Sequence, residues 1–103
     1  MTAPTYNLTL HKTYYDKGFF NLGVDVERYV RKDSGPAVLL LGASKTRLEV
    51  KVDREANQNG TPRIHGGPEL RNWLYQNCKL GARVTVSVLS PSEFWLQHES
   101  GKS

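Results

Sequence analysis

Glu49-Val50-Lys51 is an acidic-x-Lys triplet on a predicted strand, of the type that metal-dependent nucleases use. Such a site needs a further carboxylate, because a hard divalent cation takes several oxygen ligands. Asp33 is the upstream candidate. Alternating charge is also what the solvent face of any strand looks like, and the surface-strand reading outweighs the nuclease one. Cys78 is the single cysteine. It can neither form a disulfide within the chain nor hold a zinc ion alone, and it fits a reducing compartment. As a nucleophile it needs an activating histidine. His11, His65 and His98 all lie far from it in sequence, so a partly buried helix cysteine is expected, and the histidines read as structural or surface groups. No Gly-x-Ser-x-Gly, His-Glu-x-x-His, P-loop or Gly-x-Gly-x-x-Gly pattern is present, and Gly60, Gly66 and Gly67 lack the setting of a phosphate loop. The expectation is a protein without catalysis, metal or cofactor.

Two polar segments carry a different chemistry. In His11–Lys17, Lys12, Thr13 and Lys17 flank Tyr14 and Tyr15. In 54–63, Arg54, Asn57, Gln58, Asn59, Thr61 and Arg63 follow one another closely. Arginine pairs bidentately with guanine, and asparagine or glutamine with adenine. Lysine, threonine and tyrosine commonly hold phosphates. Taken singly each segment also reads as an ordinary solvated loop, since Asn, Gly, Thr and Pro are what turns need. The balance of 14 Lys and Arg against 10 Asp and Glu gives +4, a modest excess that favours a polyanionic partner over a cationic one.

These segments must be positioned by a scaffold of short elements. At 103 residues the chain has the size of one domain. A hydrophobic fraction of 38% with 23% charged residues is ordinary for a globular fold, and a mean hydropathy of −0.54 fits a soluble one. The longest apolar run, Ala37–Leu41, falls far short of a membrane span of roughly 18 residues. Met1-Thr2-Ala3-Pro4 shows no charged start or apolar signal core, so an intracellular setting, cytoplasm or nucleoid, is expected.

Alternation predicts strands over 5–10, 19–22, 46–54, 83–89 and 93–97, with a short one at 63–65. The stretch 46–54 is the clearest, with Leu48, Val50 and Val52 on one face and Arg47, Glu49 and Lys51 on the other. The unbroken apolar run Ala37–Leu41 predicts a strand covered on both faces. Val26, Tyr29 and Val30 form the stripe of a short helix over 24–30. Pro68 opens a second helix to Asn77, with Leu70, Trp73, Leu74 and Asn77 inward. The predicted core is Leu8, Leu10, Phe20, Val26, Tyr29, Val30, Val38, Leu40, Val50, Val52, Leu70, Trp73, Val84, Val86 and Phe94. The class is mixed, mainly β: a small seven-stranded open barrel (a pseudobarrel) with two short helices, spanning 5–97, followed by a frayed tail over 98–103.

This order resembles the DNA-binding pseudobarrel of plant transcription factors such as the auxin response factors, shared by effector domains of some restriction endonucleases. Two stretches carry the likeness. Leu10-His11-Lys12 through Phe20-Asn21-Leu22 looks like the family's first strand, polar arm and second strand. Gly66-Gly67 followed by Leu70, Trp73, Asn77, Leu80 and Gly81 looks like its second helix and following turn. Leu70 stands where an aromatic is usual, the spacing to Gly81 is about one residue short, and Ala82 replaces an Asp. The resemblance implies two arms gripping the major groove of double-stranded DNA. The first arm is Lys12, Thr13, Tyr14, Tyr15 and Lys17; the second is Arg54, Asn57, Gln58, Asn59, Thr61 and Arg63. A protein-interaction module meeting a partner protein through the same loops is the alternative, and a nuclease using Glu49 and Lys51 the second alternative. Oligomeric state is not encoded in any pattern seen here.

Overall fold

A computed structural model describes residues 3–57 and 60–98. Its elements are β1 (Thr5–Thr9), α1 (Lys12–Lys17), β2 (Phe19–Asn21), α2 (Val24–Glu27), β3 (Gly35–Leu41), β4 (Thr46–Asp53), β5 (Arg63–His65), α3 (Gly67–Asn77), β6 (Arg83–Ser90) and β7 (Glu93–His98). The seven strands form one sheet in the order β1-β6-β7-β3-β4-β5-β2. All neighbours run antiparallel except β3 and β7. The sheet curls around its core as a half-barrel, with β1 and β2 as unpaired edges facing each other. The expected fold class is therefore the observed one. β7 runs to His98, so that residue belongs to the sheet rather than to the expected tail; 99–103 lie outside the described residues.

Alternation fixes which face each strand buries. Leu48, Val50 and Val52 of β4 and Val84, Val86 and Val88 of β6 point into the core, as do Phe20, Ile64, Phe94 and Leu96. From α3, Leu70 and Leu74 join the same cluster, and Val26 and Val30 join it from the α2 region.

Four expected core residues are placed otherwise. In β3 the buried residues are Ala37, Leu39 and Leu41, and Val38 and Leu40 are half-buried on the outer face. A run that is apolar throughout carries no phase, so the sequence does not say which set faces in. Tyr29 is exposed because α2 stops after one turn at Glu27 and the helical stripe does not reach it. Trp73 is half-buried at the rim of the core, packed beside Gly42. Asn77, expected inward, is exposed, and its amide Nδ2 donates to the Trp73 carbonyl at 3.0 Å.

Among the described residues there are three helices, not two. The first polar arm is α1 rather than an open loop. Lys12 and Asp16 pair at i, i+4, and Gly18 ends the helix in the left-handed region at φ 75°, its N–H donating to the Tyr14 carbonyl. The short helix then packs against α3: the Tyr15 and Tyr75 ring centroids are 4.6 Å apart, and the Tyr15 hydroxyl donates to the Cys78 carbonyl at 3.4 Å.

A backbone clasp fixes where α1 ends. The Gly18 carbonyl accepts from the N–H groups of both Gly66 and Gly67, at 2.9 and 3.0 Å. A Cβ on Gly18 would collide with the Gly67 carbonyl, and its positive φ independently disfavours any other residue. Gly18→Ala is therefore expected to lower the unfolding free energy by about 2 kcal/mol or more, read from urea melts. An unchanged midpoint would remove the clasp from the account.

Candidate nucleic-acid interface

The residues opposite each other in an antiparallel pair share a face. Register places Phe19 opposite His65 and Asn21 opposite Arg63, with Phe20 and Ile64 inward. The outer face at this edge of the sheet thus carries Phe19, Asn21, Arg63 and His65. The loop after β4 lies over it.

Asn21 is the centre of the arrangement. Its Oδ1 accepts from Arg63 Nε at 2.9 Å and from Asn57 Nδ2 at 3.0 Å, and its Nδ2 donates to the Tyr14 hydroxyl at 3.1 Å. Asn57 Oδ1 accepts from Arg63 Nη2 at 3.2 Å, and Asn57 Nδ2 also reaches the Thr61 carbonyl and Oγ1. The Arg63 guanidinium lies over the Phe19 ring, 4.3 Å from its centroid. Tyr14 meets the same ring edge-on at 5.6 Å. Arg63 is therefore held along one edge by two amide oxygens and on one face by an aromatic ring. Its Nη1 has no partner among the described residues.

The two predicted arms meet here through Tyr14, Asn57, Thr61 and Arg63. Other predicted site residues are placed elsewhere. Arg54 turns away to α2: its Nη2 pairs with the Glu27 carboxylate, its side chain is 13% exposed, and its backbone N–H donates to Ser34 Oγ at 2.8 Å. Arg54 Nη1 is buried without a hydrogen-bond partner among the described residues. Thr61 is buried. Tyr15 is turned toward α3. Thr13 and Lys17 are exposed. Lys12 is exposed and paired with Asp16 at 2.7 Å; that contact raises its pKa and lowers that of Asp16. Gln58 and Asn59 lie outside the described residues.

Beside the network, the gap between the unpaired edges forms a cleft of about 290 Å³. It is lined by Tyr6, Asn7, Leu8 and Thr9 of β1, by Asn21, and by His11, Tyr14 and Arg83. Tyr6 crosses toward Gly23, where a Cβ would lie 2.5 Å from its ring. The Thr85 hydroxyl donates to Asn7 Oδ1 at 2.8 Å, so the floor continues as a hydrogen-bonding surface onto β6. Asn21, Phe19 and Arg83 lie outside the two polar segments. Alternation in 19–22 puts Phe19 and Asn21 opposite the buried Phe20, and that signal was available.

The residues that could do chemistry stand apart. Glu49 and Lys51 lie exposed on the outer face of β4. Among the described residues no group of three His, Cys, Asp or Glu is arranged to hold a metal. Asp53 is held below its ordinary pKa, first by the Glu55 N–H at 2.9 Å, and faces His65 at 3.5 Å. Burial pushes the Cys78 thiol up to about 11. Among the described residues no helix is long and apolar enough to cross a membrane.

No family model and no curated protein matches the chain. Among solved structures it is similar to the N-terminal domain of Helicobacter pylori LlaJI.R1, with a TM-score of 0.59 over 90% of this chain and 78% of that one, at 12% identity. The likeness is one of fold.

Two outcomes follow from this geometry. Native Cys78 should react with iodoacetamide far more slowly at a pH of about 8 than the urea-unfolded chain, because the thiolate is scarce and covered. Equal rates would contradict its burial. Asn21→Ala leaves Arg63, Asn57 and Tyr14 short of a partner and should cost about 1–3 kcal/mol in urea melts.

Proposed function

We propose that this chain is a double-stranded DNA-binding domain that recognises its target without chemistry of its own. The observation that carries the reading is the fixed Arg63. A guanidinium held by Asn21 and Asn57 over Phe19 has lost its rotamer freedom before any ligand arrives. It keeps Nη1 and the second Nη2 hydrogen, the end-on pair, for a bidentate acceptor such as the guanine O6/N7 edge. Binding energy is then not consumed in ordering a long side chain. The fold supports the reading, being the barrel that the sequence resemblance implied.

In this reading the arms divide their work differently from the composition-based expectation. Arg63 reads a base. Asn21, Asn57 and Thr61 position it. Arg54 anchors the loop to α2. Lys12, Thr13 and Lys17 contact phosphate from α1, with Arg83 and the hydroxyls of β1 and β6 along the cleft as further backbone contacts. The Lys12–Asp16 pair is solvent-exposed and weak, so Lys12 can exchange it for a phosphate at little cost. A protein partner and an intracellular setting are compatible with the same surface.

Fluorescence anisotropy with a labelled random-sequence duplex tests the reading. Affinity should fall steeply from low to physiological salt, as counterion release requires. Lys17→Ala should reduce the salt slope by about 1, uniformly across sequences, whereas Arg63→Ala should remove about 1–3 kcal/mol of discrimination at one position of a selected site. No binding at low salt, or full discrimination in a folded Arg63→Ala protein, would overturn it.

A further inference from the structure

The outer face of the sheet centre carries an apolar column among charged residues, with Lys45 Nζ over the Trp95 ring at 4.4 Å on one side of it. β3 lies between β4 and β7, and register sets the outward residues in rows. Val38 stands between Glu49 and Glu93, and Leu40 between Arg47 and Trp95. Pro36 extends the apolar column and is exposed, while Val38, Leu40 and Trp95 are half-buried. The sequence of β3 predicts cover on both faces. The fold covers only Ala37, Leu39 and Leu41. Next to this column Arg47 and Glu49 are exposed and make no ion pair with any described residue. A shallow depression of about 370 Å³ is bordered by Pro36, Val38, Arg47, Glu49 and Ser92.

We infer that this face is a homodimer interface, and that its occupant is a second copy of the same chain. The charge order selects the occupant and its register. A two-fold axis between the faces, perpendicular to the strands and passing between the Val38–Glu49 and Leu40–Arg47 rows, lays β3 on β3 and β4 on β4 in opposite directions. Arg47 of each copy then meets Glu49 of the other, twice, and Leu40 packs on Val38. The alternative axis, along the strands, lays Glu49 over Glu93 and sets like charges against each other. Face-to-face packing of two sheets in near alignment is a standard solution for an apolar sheet face. The inference is independent of DNA binding, since it uses none of the residues assigned to recognition.

Sedimentation equilibrium over a concentration series tests it. The wild type should associate as a dimer. Arg47→Glu and Glu49→Arg should each weaken association by about tenfold or more, because each sets like charges together at two symmetric places. The double variant Arg47→Glu/Glu49→Arg restores the pairs and should regain the dimer. Leu40→Glu should give a monomer. Both charge variants lie on the solvent face, so circular dichroism should show them folded even where Leu40→Glu does not fold. A wild type that stays monomeric throughout would overturn the proposal. A dimer indifferent to Leu40 and to both charge reversals would overturn it too, as would failure of the double swap to recover a dimer that the single variants weaken.

Discussion

The site depends on a contact between two turns that are far apart in the chain. Gly18's carbonyl receives the N–H groups of Gly66 and Gly67, and this ties the end of α1 to the start of α3. Both flanking strands inherit their register from it. β2 begins one residue after Gly18 and β5 ends one residue before Gly66, so Phe19 falls opposite His65 and Asn21 opposite Arg63. A slip of one residue would turn Asn21 into the core and Phe20 out of it. Three-residue strands have little pairing energy of their own to prevent that. The clasp, which tolerates no side chain at Gly18, supplies the constraint instead.

Two arginines at the two ends of one loop show how that constraint sorts chemistry. Arg54 and Arg63 look alike in composition, and each flanks the polar segment. Arg54 is drawn toward α2 by Glu27 and is largely covered. A buried guanidinium with an unsatisfied Nη1 is costly to hold and adds little net stability beyond orientation. Arg63 sits on the outer face, where its contacts are neutral amide oxygens and an aromatic ring. Neutral acceptors fix its geometry without cancelling its charge. A carboxylate at position 21 or 57 would have fixed it equally well and removed its attraction for an anion.

Much of the scaffold is legible in the sequence because alternation and burial are the same fact seen twice. Leu48, Val50 and Val52 could not face water together, and Arg47, Glu49 and Lys51 could not face the core. Where alternation is lost, so is the information: Ala37–Leu41 announces a strand and conceals its phase. Six residues are too few for a helical stripe to show, so the sequence of the first arm does not reveal α1. Its two markers, Lys12 with Asp16 and Gly18, are the kind that many loops share. Loop composition singles out Asn57 and Arg63, and the structure joins the two in one hydrogen-bond network. Composition misses Asn21 as their centre, because that role arises from the pairing of β2 with β5, which no local pattern encodes. The place of Arg54 is hidden for the same reason in reverse, since its partner Glu27 lies on another element.

The open seam connects scaffold and site. A barrel that closed would pair β1 with β2, satisfy both edges and bury the space between them. Here Tyr6 reaching over Gly23 and Tyr14 over Asn21 fill part of the gap with side chains. The groups that line the remainder, Asn7, Thr9, His11 and Arg83, are polar. An edge lined this way stays hydrated and resists adding a stray strand, which an apolar edge would invite. It also leaves donors in a row beside a preset guanidinium. Incomplete closure is thus a structural cost that is offset at the edges by tyrosines, and its result is a concave polar surface that a sealed barrel of the same strands could not present.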